Sequence, residues 1–404
     1  MEFLTSIGII LLCGLVLGSI CKTVKLPPLL GMLIVGIVLG PHVLGFMSPQ
    51  VLSISADLRQ LALIIVLTRA GLSFNIKELR KNGRSAVMLC FVPAVMEIIG
   101  YICFGTLLLA LDWSEAAILG CVMAAVSPAV IVPRMLKLKE QGYGTDKGIP
   151  QMILTGASAD DVFVIILFTA FLGMSGSFDF NILWRTPVSM ILGIGTGMLI
   201  GWLFSLLVKR FHIRDTVKII VLLCLSFFFV SIENHLTEYV PFSGLLAVIA
   251  MSAMLFAKHR PCAERLSVRY NKLWLVAEIL LFVLVGATVD IRFAVKSGGM
   301  IIAVMAIALV FRTIGVCLCV VGTKLNKKER LFCAVAYLPK ATVQAAIGAI
   351  PLTAGLACGN IVLTAAVLAI IVTAPIGAFL IDILHKKLLV KSADEEKAVL
   401  ALLK

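Results

Sequence analysis

Residues 152–168 read MILTGASADDVFVIILF and carry two adjacent acids, Asp160 and Asp161, inside an otherwise apolar run. A charged side chain at the centre of a bilayer costs roughly 2.5–3.5 kcal/mol on insertion scales. If this run crosses a membrane, the two carboxylates need either partners or a function there. The composition of the rest of the chain decides whether it does.

The composition is that of a membrane protein. Hydrophobic residues make up 61% of the 404 residues and charged residues 14%, whereas soluble domains carry about 25% charged residues. Apolar runs of about 20 residues, long enough to cross a bilayer, recur along the whole chain. The sequence predicts an all-α membrane protein with about 13 transmembrane helices. They are placed at about residues 4–21, 27–45, 58–74, 85–111, 115–138, 149–174, 187–208, 216–232, 240–257, 272–289, 299–321, 330–353 and 360–384.

Basic residues concentrate in alternate loops between these runs. Lys77, Arg80, Lys81 and Arg84 form one such loop, whereas DWSE (112–115) and ENHLTE (233–238) are typical of the neutral or acidic loops between them. By the positive-inside rule, this alternation predicts the N-terminus outside and the C-terminus in the cytoplasm. It also accounts for the net charge of +13, so we expect membrane lipid, and no nucleic acid, as a partner in the cell's inner (plasma) membrane.

The chain contains an internal repeat with an offset of about 215 residues. Gly71 and Gly286 are equivalent in it, as are Glu97 and Arg312. The matching segments are VLTRAGLSFNI (66–76) with VLVGATVDI (283–291), AAVSPAVIVP (124–133) with AYLPKATVQA (336–345), and LPPLLGMLIVG (26–36) with VPFSGLLAVIA (240–250). The first six spans correspond to the last six, so equivalent spans are seven apart in the order of spans. Because seven is odd, the two halves have opposite orientation, which is typical of secondary transporters.

Pro128 and Pro339 lie mid-span at corresponding places of the two halves. Proline removes a backbone hydrogen bond and clashes with the preceding helical turn. Paired broken helices indicate the binding site of a transporter, since half-helix ends and freed carbonyl groups can hold ions. The sequence therefore predicts two crossed, broken helices.

Five charged residues fall near the membrane midplane, three acids and two bases: Glu97, Asp160, Asp161, Arg312 and Lys340. Glu278 and Arg69 lie nearer span ends, where an interfacial role suits them better. Buried charges are tolerated when they are paired. We therefore expect Glu97, Arg312 and Lys340 to be mainly structural, which leaves one carboxylate in excess.

Asp160 and Asp161 point about 100° apart on a helix, so they cannot both face one partner. An ion pair suits Asp160, and a position facing a cavity suits Asp161. Burial favours the neutral form of a carboxylic acid, so that such a group exchanges a proton for a small cation. Asp161 is thus the predicted ion- and proton-binding residue, with Asp160 beside it.

Three motifs resemble the monovalent cation:proton antiporter superfamily in its paired-aspartate branch: TGASADD (155–161), VSPAVIVP (126–133) and LPKATVQAAIG (338–348). GYGTDKGIP (142–150) and AVSPAVIVPRML (125–136) are most similar to the bacterial relatives of the animal sodium/hydrogen exchanger-domain-containing proteins. The resemblance covers nearly the whole chain. It implies a homodimer that exchanges sodium or lithium for protons by elevator-type alternating access.

The resemblance also implies a division of labour along the chain. The dimerisation and scaffold domain would be residues 1–84 and 216–298, and the ion-transport core 85–175 and 299–385. Residues 187–208 would form a linker helix and 386–404 a cytoplasmic tail. Asp161 would carry the cation, assisted by Asp160 and by the hydroxyl groups of Ser127 and Ser158.

Arg312 departs from the best-studied paired-aspartate antiporters, which carry lysine in that span. Arginine stays protonated, so it releases no proton, and it resembles the electroneutral branch. If Asp160 or Lys340 titrates, two protons exchange for one sodium. If Asp160 stays paired and Lys340 stays charged, exchange is one for one. Because a paired aspartate accompanies a buried lysine that can titrate, the sequence favours the electrogenic case.

Other functions fit the sequence less well. Potassium/proton exchange and sodium-coupled symport of an organic anion are the nearest alternatives. An intramembrane aspartyl protease needs two facing aspartates on different helices, and a channel needs no inverted repeat with titratable carboxylates. The sequence has no cofactor motif, and its eleven cysteines include no CxxC pair. We therefore expect a transporter that is not an enzyme and has no cofactor.

Overall fold

The structure is a computed structural model that describes residues 2–74, 83–174, 180–211, 213–236 and 241–392. In these ranges the regular elements are all helices, no strand is present, and Tyr143 and Lys391 form an isolated β-bridge. The predicted all-α class is therefore confirmed. Some residues named in the sequence analysis lie outside the described residues: Lys77, Arg80, Lys81, residues 237–238 of the acidic loop and residues 393–404 of the predicted tail.

Eighteen helices are described. The first nine are α1 (Phe3–Thr23), α2 (Pro28–Leu39), α3 (Pro49–Ser53), α4 (Ser55–Leu72), α5 (Gly83–Leu89), α6 (Val92–Leu109), α7 (Trp113–Ala124), α8 (Pro128–Glu140) and α9 (Ile149–Met174). The others are α10 (Phe180–Arg210), α11 (Asp215–Leu236), α12 (Gly244–Lys258), α13 (Arg260–Ala287), α14 (Ile291–Cys319), α15 (Lys327–Ala336), α16 (Thr342–Ile347), α17 (Ile350–Thr353) and α18 (Gly359–Leu388).

Among the described residues, nine helical stretches are long and apolar enough to cross a membrane. They are Phe3–Thr23, Gly83–Leu109, Trp113–Glu140, Ile149–Met174, Pro187–Arg210, Asp215–Glu233, Arg260–Ala287, Ile291–Cys319 and Gly359–Leu388. The other four predicted spans coincide with helices that are short, interrupted or charged. For example, α2 has 12 residues, or about 18 Å at 1.5 Å per residue. The count of thirteen stays a prediction.

The chain forms two compact units. Unit 1 consists of Met1–Leu15, Met32–Asn75 and Ile165–Thr288. Unit 2 consists of Val16–Gly31, Ile76–Val164 and Val289–Lys404. Helix α10, which contains the predicted linker 187–208, belongs to unit 1. The division into a scaffold and a transport core stays a prediction.

Gly71 and Gly286 are two of the glycines that allow close helix packing inside unit 1. A Cβ atom on Gly71 would lie 2.7 Å from the carbonyl oxygen of Ile249, and one on Gly286 would overlap the carbonyl oxygen of Leu33. Both helix pairs, α4 with α12 and α2 with α13, therefore approach too closely for any side chain at that point. Gly71 and Gly286 are 215 residues apart, and Leu33 and Ile249 are 216 apart.

A similar pair of contacts holds α6 against α14 in unit 2. A Cβ atom on Gly100 would lie 3.1 Å from Cα of Ala308, and one on Gly315 would lie 2.8 Å from Cα of Pro93. The residues 93 and 308, and likewise 100 and 315, are 215 apart. The contact is thus reciprocal, as expected for equivalent helices of the predicted repeat.

Candidate functional site

Two helices of unit 2 are interrupted. Helix α7 ends at Ala124 and α8 begins at Pro128, with an extended segment between them. Helix α15 ends at Ala336 and α16 begins at Thr342. Pro128 is the first residue of the second half-helix, where its missing N–H leaves no hydrogen bond unmade.

The two non-helical segments contact each other directly. The backbone N–H of Ser127 donates a hydrogen bond of 2.8 Å to the carbonyl oxygen of Pro339. Ser127 is fully buried, and its hydroxyl oxygen has no hydrogen-bond partner among the described residues. The chain thus brings two interruptions, more than 200 positions apart in sequence, to one buried point.

The Arg312 side chain on α14 binds the carboxyl ends of both first half-helices. Its Nη1 donates to the carbonyl oxygen of Ala124, and its Nε donates to that of Tyr337 at 2.7 Å. Carbonyl groups at a helix end have no partner within the helix and carry partial negative charge. One guanidinium, which has five N–H donors in a fixed fork, satisfies both ends at once.

Gln344 on α16 adds to the same arrangement. Its Nε2 atom donates to the carbonyl oxygens of Val122, Met123 and Ala125, at 3.2, 3.4 and 2.9 Å. These are carbonyls at the end of α7. The amide of one interrupted helix therefore caps the open end of the other.

Arg312 also joins the buried acids. Its Nη1 lies 2.7 Å from Oε2 of Glu97, and its Nη2 lies 3.2 Å from Oδ2 of Asp160. Lys340 Nζ lies 2.6 Å from the same Glu97 oxygen. We call Glu97, Asp160, Arg312 and Lys340 the charge cluster. All four are fully buried, and their two acids and two bases make it formally neutral.

Asp160 is fixed by a second contact at the break. The N–H of Val126 donates to Asp160 Oδ2 at 2.8 Å, just before the start of α8. The partial positive charge at that helix end favours a carboxylate. The other oxygen, Oδ1, is buried and makes no hydrogen bond with the described residues.

Asp161 follows on α9 and is partly exposed, unlike its fully buried neighbour. The position of Ser158 on the helix is described, but its side chain lies outside the described residues. The structure therefore brings together Glu97, Asp160, Arg312 and Lys340 with the breaks at Ser127, Pro128 and Pro339. Asp161 stands next to that cluster in the chain.

Two further polar residues at the site were difficult to predict from the sequence. Gln344 was visible as a lone amide within LPKATVQAAIG, but its role as a cap needs the other broken helix. Thr373 Oγ1 accepts a 2.9 Å hydrogen bond from the backbone N–H of Lys340. One threonine in a long apolar helix carries no signal, since most such hydroxyls bond their own helix, as Thr373 also does at 2.7 Å.

Comparison with known proteins agrees with this geometry. A family model described as "Sodium/hydrogen exchanger, transmembrane" matches residues 7–387. The chain belongs to this family. The resemblance to cation:proton antiporters that the motifs indicated is therefore confirmed.

Animal members of the sodium/hydrogen exchanger family are similar over almost the whole chain. Sodium/hydrogen exchanger 9B2 of Mus musculus is 35% identical over 410 residues, covering 95% of this chain and 74% of the relative. The Homo sapiens protein of the same name is 34% identical over 417 residues, covering 96% and 76%. These relatives are transporters, and the prediction that the chain is not an enzyme is confirmed.

A solved structure shows the same fold as this exchanger-family chain. It is the sodium proton antiporter MjNhaP1 from Methanocaldococcus jannaschii, with a TM-score of 0.81 at 20% identity. The match covers 96% of this chain and 99% of that protein. At this identity the likeness concerns the fold alone.

Proposed function

We propose that the protein is a sodium(lithium)/proton antiporter in which Asp161 binds the cation and the proton in competition. The observation that carries the proposal is the contact between Arg312 and Asp160 at the crossing of the two interrupted helices. It commits the first aspartate to the charge cluster. Membership of the exchanger family and the names of the relatives agree with this activity.

The charge count supports Asp161 as the exchanging residue. The charge cluster is formally neutral by itself, and the Asp161 carboxylate adds one negative charge next to it. That charge can be neutralised by a proton or by a monovalent cation. Asp161 is partly exposed, whereas Asp160 and Glu97 are fully buried.

Oxygen atoms at the breaks suit a hard cation, which takes oxygen ligands. Ser127 Oγ, Thr342 Oγ1 and Asp160 Oδ1 are buried and make no hydrogen bond with the described residues. Each belongs to a segment at or beside the crossing. We propose that they contribute to the coordination of sodium or lithium as it binds Asp161, and that Ser158 assists.

The contacts of the charge cluster support one-for-one exchange. Asp160 is bonded to Arg312 and to the Val126 N–H, and Lys340 is bonded to Glu97. Whereas the sequence favoured the electrogenic alternative, this is the electroneutral one. In that case neither residue supplies a second proton, and the fixed charge of Arg312 holds the cluster neutral through the cycle.

We propose an inverted repeat, thirteen spans and elevator-type alternating access for the complete protein. The reciprocal contacts around Gly100 and Gly315, and around Gly71 and Gly286, support the repeat. The whole charge cluster lies within unit 2, so the ion site can move as one body. We further propose a homodimer in the plasma membrane, the N-terminus outside and the C-terminus cytoplasmic. The ions are substrates, and we propose no cofactor.

Proteoliposomes containing a pH-sensitive dye test the activity. A proton gradient is set, and chloride salts of sodium, lithium or potassium are then added, with sodium citrate as the organic-anion arm. We expect sodium and lithium to dissipate the gradient and potassium to leave it. Dissipation by potassium alone, or a sodium response that requires citrate, would contradict the proposal.

A further inference from the structure

A basic cavity of about 750 Å³ lies where α10 ends and α11 begins, within unit 1. Its size is within the range of roughly 300–1,000 Å³ that small-molecule sites occupy. Eight of the lining residues lie between Val208 and Lys218, and the others are His259 and two residues of helix α13. None of these residues belongs to the charge cluster, and the proposed antiport gives them no role.

The lining is strongly positive. Five basic residues and one acid, Asp215, contribute to it, which leaves four net positive charges with His259 neutral. The basic residues are Lys209, Arg214, Lys218, Arg265 and Arg269. A general excess of basic residues in loops does not by itself produce a cavity with a net positive lining. The charge of this cavity therefore favours binding of an anion.

Asp215 holds three of the bases in place. Its carboxylate oxygens lie 3.0 Å from Lys218 Nζ, 3.4 Å from Arg265 Nε and 3.5 Å from Arg269 Nη2. One carboxylate neutralises one of these three charges. A guanidinium has five N–H donors, so both arginines keep donors for a further acceptor. Their side chains are 55% and 47% exposed, which leaves those donors accessible.

The start of α11 adds to the attraction. This helix of 22 residues begins at Asp215, and the first backbone N–H groups of a helix carry partial positive charge and bind anions. Arg269 Nη1 also donates to Thr216 Oγ1 at 3.3 Å. Arginine forks, a helix start and a threonine hydroxyl together match the oxygens of a phosphate group.

The cavity lies at the ends of two candidate spans, Pro187–Arg210 and Asp215–Glu233. It is therefore expected at the level of the lipid headgroups. Three apolar residues, Val208, Phe211 and Ile213, also line it, and Phe211 is 55% exposed. A small soluble anion has no apolar group to contact these side chains, whereas a lipid can place its glycerol and acyl groups there.

We propose that this cavity binds the phosphate group of an anionic phospholipid, with preference for a phosphomonoester headgroup such as that of phosphatidic acid. A phosphomonoester carries up to two negative charges and offers oxygens to both arginines. A phosphodiester headgroup offers one charge and fewer oxygens. The proposal does not depend on which cation the protein transports.

Lipid titration of the purified full-length protein, followed by native mass spectrometry, tests this. The lipids are phosphatidic acid, phosphatidylserine and phosphatidylcholine, and inorganic phosphate is the soluble arm. The double variant Arg265→Gln/Arg269→Gln is compared with Arg260→Gln/Lys272→Gln, which removes two exposed charges of α13 that do not line the cavity. Lys209→Gln/Arg214→Gln is a second cavity variant, made from exposed residues outside the Asp215 ion pairs.

We expect phosphatidic acid to bind most tightly and both cavity variants to weaken its binding at least about tenfold, with the control near wild type. Equal weakening in the cavity and control variants would overturn the proposal, because it would mean a general charge effect. Equal affinity for phosphatidic acid and phosphatidylcholine would do the same. If inorganic phosphate competes as effectively as phosphatidic acid, the cavity binds free phosphate and the proposal of a lipid ligand is wrong.

Discussion

Glu97 and Arg312 form a fully buried ion pair of 2.7 Å between residues 215 positions apart. The same offset relates Gly100 to Gly315, whose contacts across α6 and α14 are reciprocal. In the predicted inverted repeat these two positions are equivalent, and two like charges at this distance would repel each other. The chain has an acid at one position and a base at the other, so the two side chains form a salt bridge instead.

Glu97→Gln is expected to lower the free energy of unfolding by about 3–5 kcal/mol. The reason is that Glu97 Oε2 is the acceptor for both Arg312 and Lys340, so the change leaves two buried bases with one acid. Thermal melting in detergent measures this, with the exposed Glu140→Gln as control. An unchanged melting temperature for Glu97→Gln would refute the pairing.

The double variant Glu97→Gln/Lys340→Gln separates charge balance from a general sensitivity of the site. It leaves Arg312 with Asp160, one base with one acid, so the cluster is neutral again. We expect it to be more stable than Glu97→Gln alone, which a double-mutant cycle reports as coupling. Strictly additive losses would mean that the two charges do not interact.

Gln344→Met is expected to destabilise the protein by about 1–3 kcal/mol, because it leaves buried carbonyls at the end of α7 without their donor. Methionine has a similar length and no N–H group, so little packing is lost. Gln50→Met, at an exposed position, is the matched control. Equal melting temperatures for the two variants would show that the amide does not cap α7.

Arg312→Lys keeps the positive charge but loses the forked arrangement of N–H donors of the guanidinium group. Lysine has three donors on one atom, whereas Arg312 reaches two helix ends and two carboxylates through three nitrogens. We expect a loss of at least about 1 kcal/mol, since at least one hydrogen bond cannot be remade. Chemical denaturation measures it, and Arg260→Lys on the surface serves as control. Wild-type stability would mean that only the charge matters.

Much of this site was predictable because charges and prolines stand out in apolar sequence. Asp160, Arg312 and Lys340 were found because a charge inside a membrane run needs an explanation, and Pro128 and Pro339 because helices avoid proline. Only some of the partners of Arg312 could be predicted from the sequence. Two of them are backbone carbonyls, those of Ala124 and Tyr337, and every residue has a carbonyl.

The fold could be predicted from the sequence to a similar extent. Apolar runs gave the helices, but the sequence does not show where a run shortens, as α2 does between Pro28 and Leu39. The basic cavity was missed for a related reason. Lys209, Arg214 and Arg265 fall between the predicted spans, whereas the cavity forms because Asp215 makes ion pairs with residues of two helices.

Transport should not respond to membrane potential if exchange is one for one. Sodium-driven proton flux is measured in proteoliposomes with and without a potential set by valinomycin and potassium. Equal rates are expected, because Asp160 and Lys340 stay in their ion pairs. A rate that increases with the potential would show that a second proton moves, and would make Asp160 or Lys340 its carrier.

The central claim is that Asp161 exchanges the proton for the cation. The direct measurement is sodium-driven dissipation of a proton gradient by Asp161→Asn in proteoliposomes, beside wild type and Asp146→Asn, an exposed acid of unit 2. All three proteins are first matched for elution profile and melting temperature. The account predicts no sodium response from Asp161→Asn and a wild-type response from Asp146→Asn. A near-wild-type response from Asp161→Asn would contradict it.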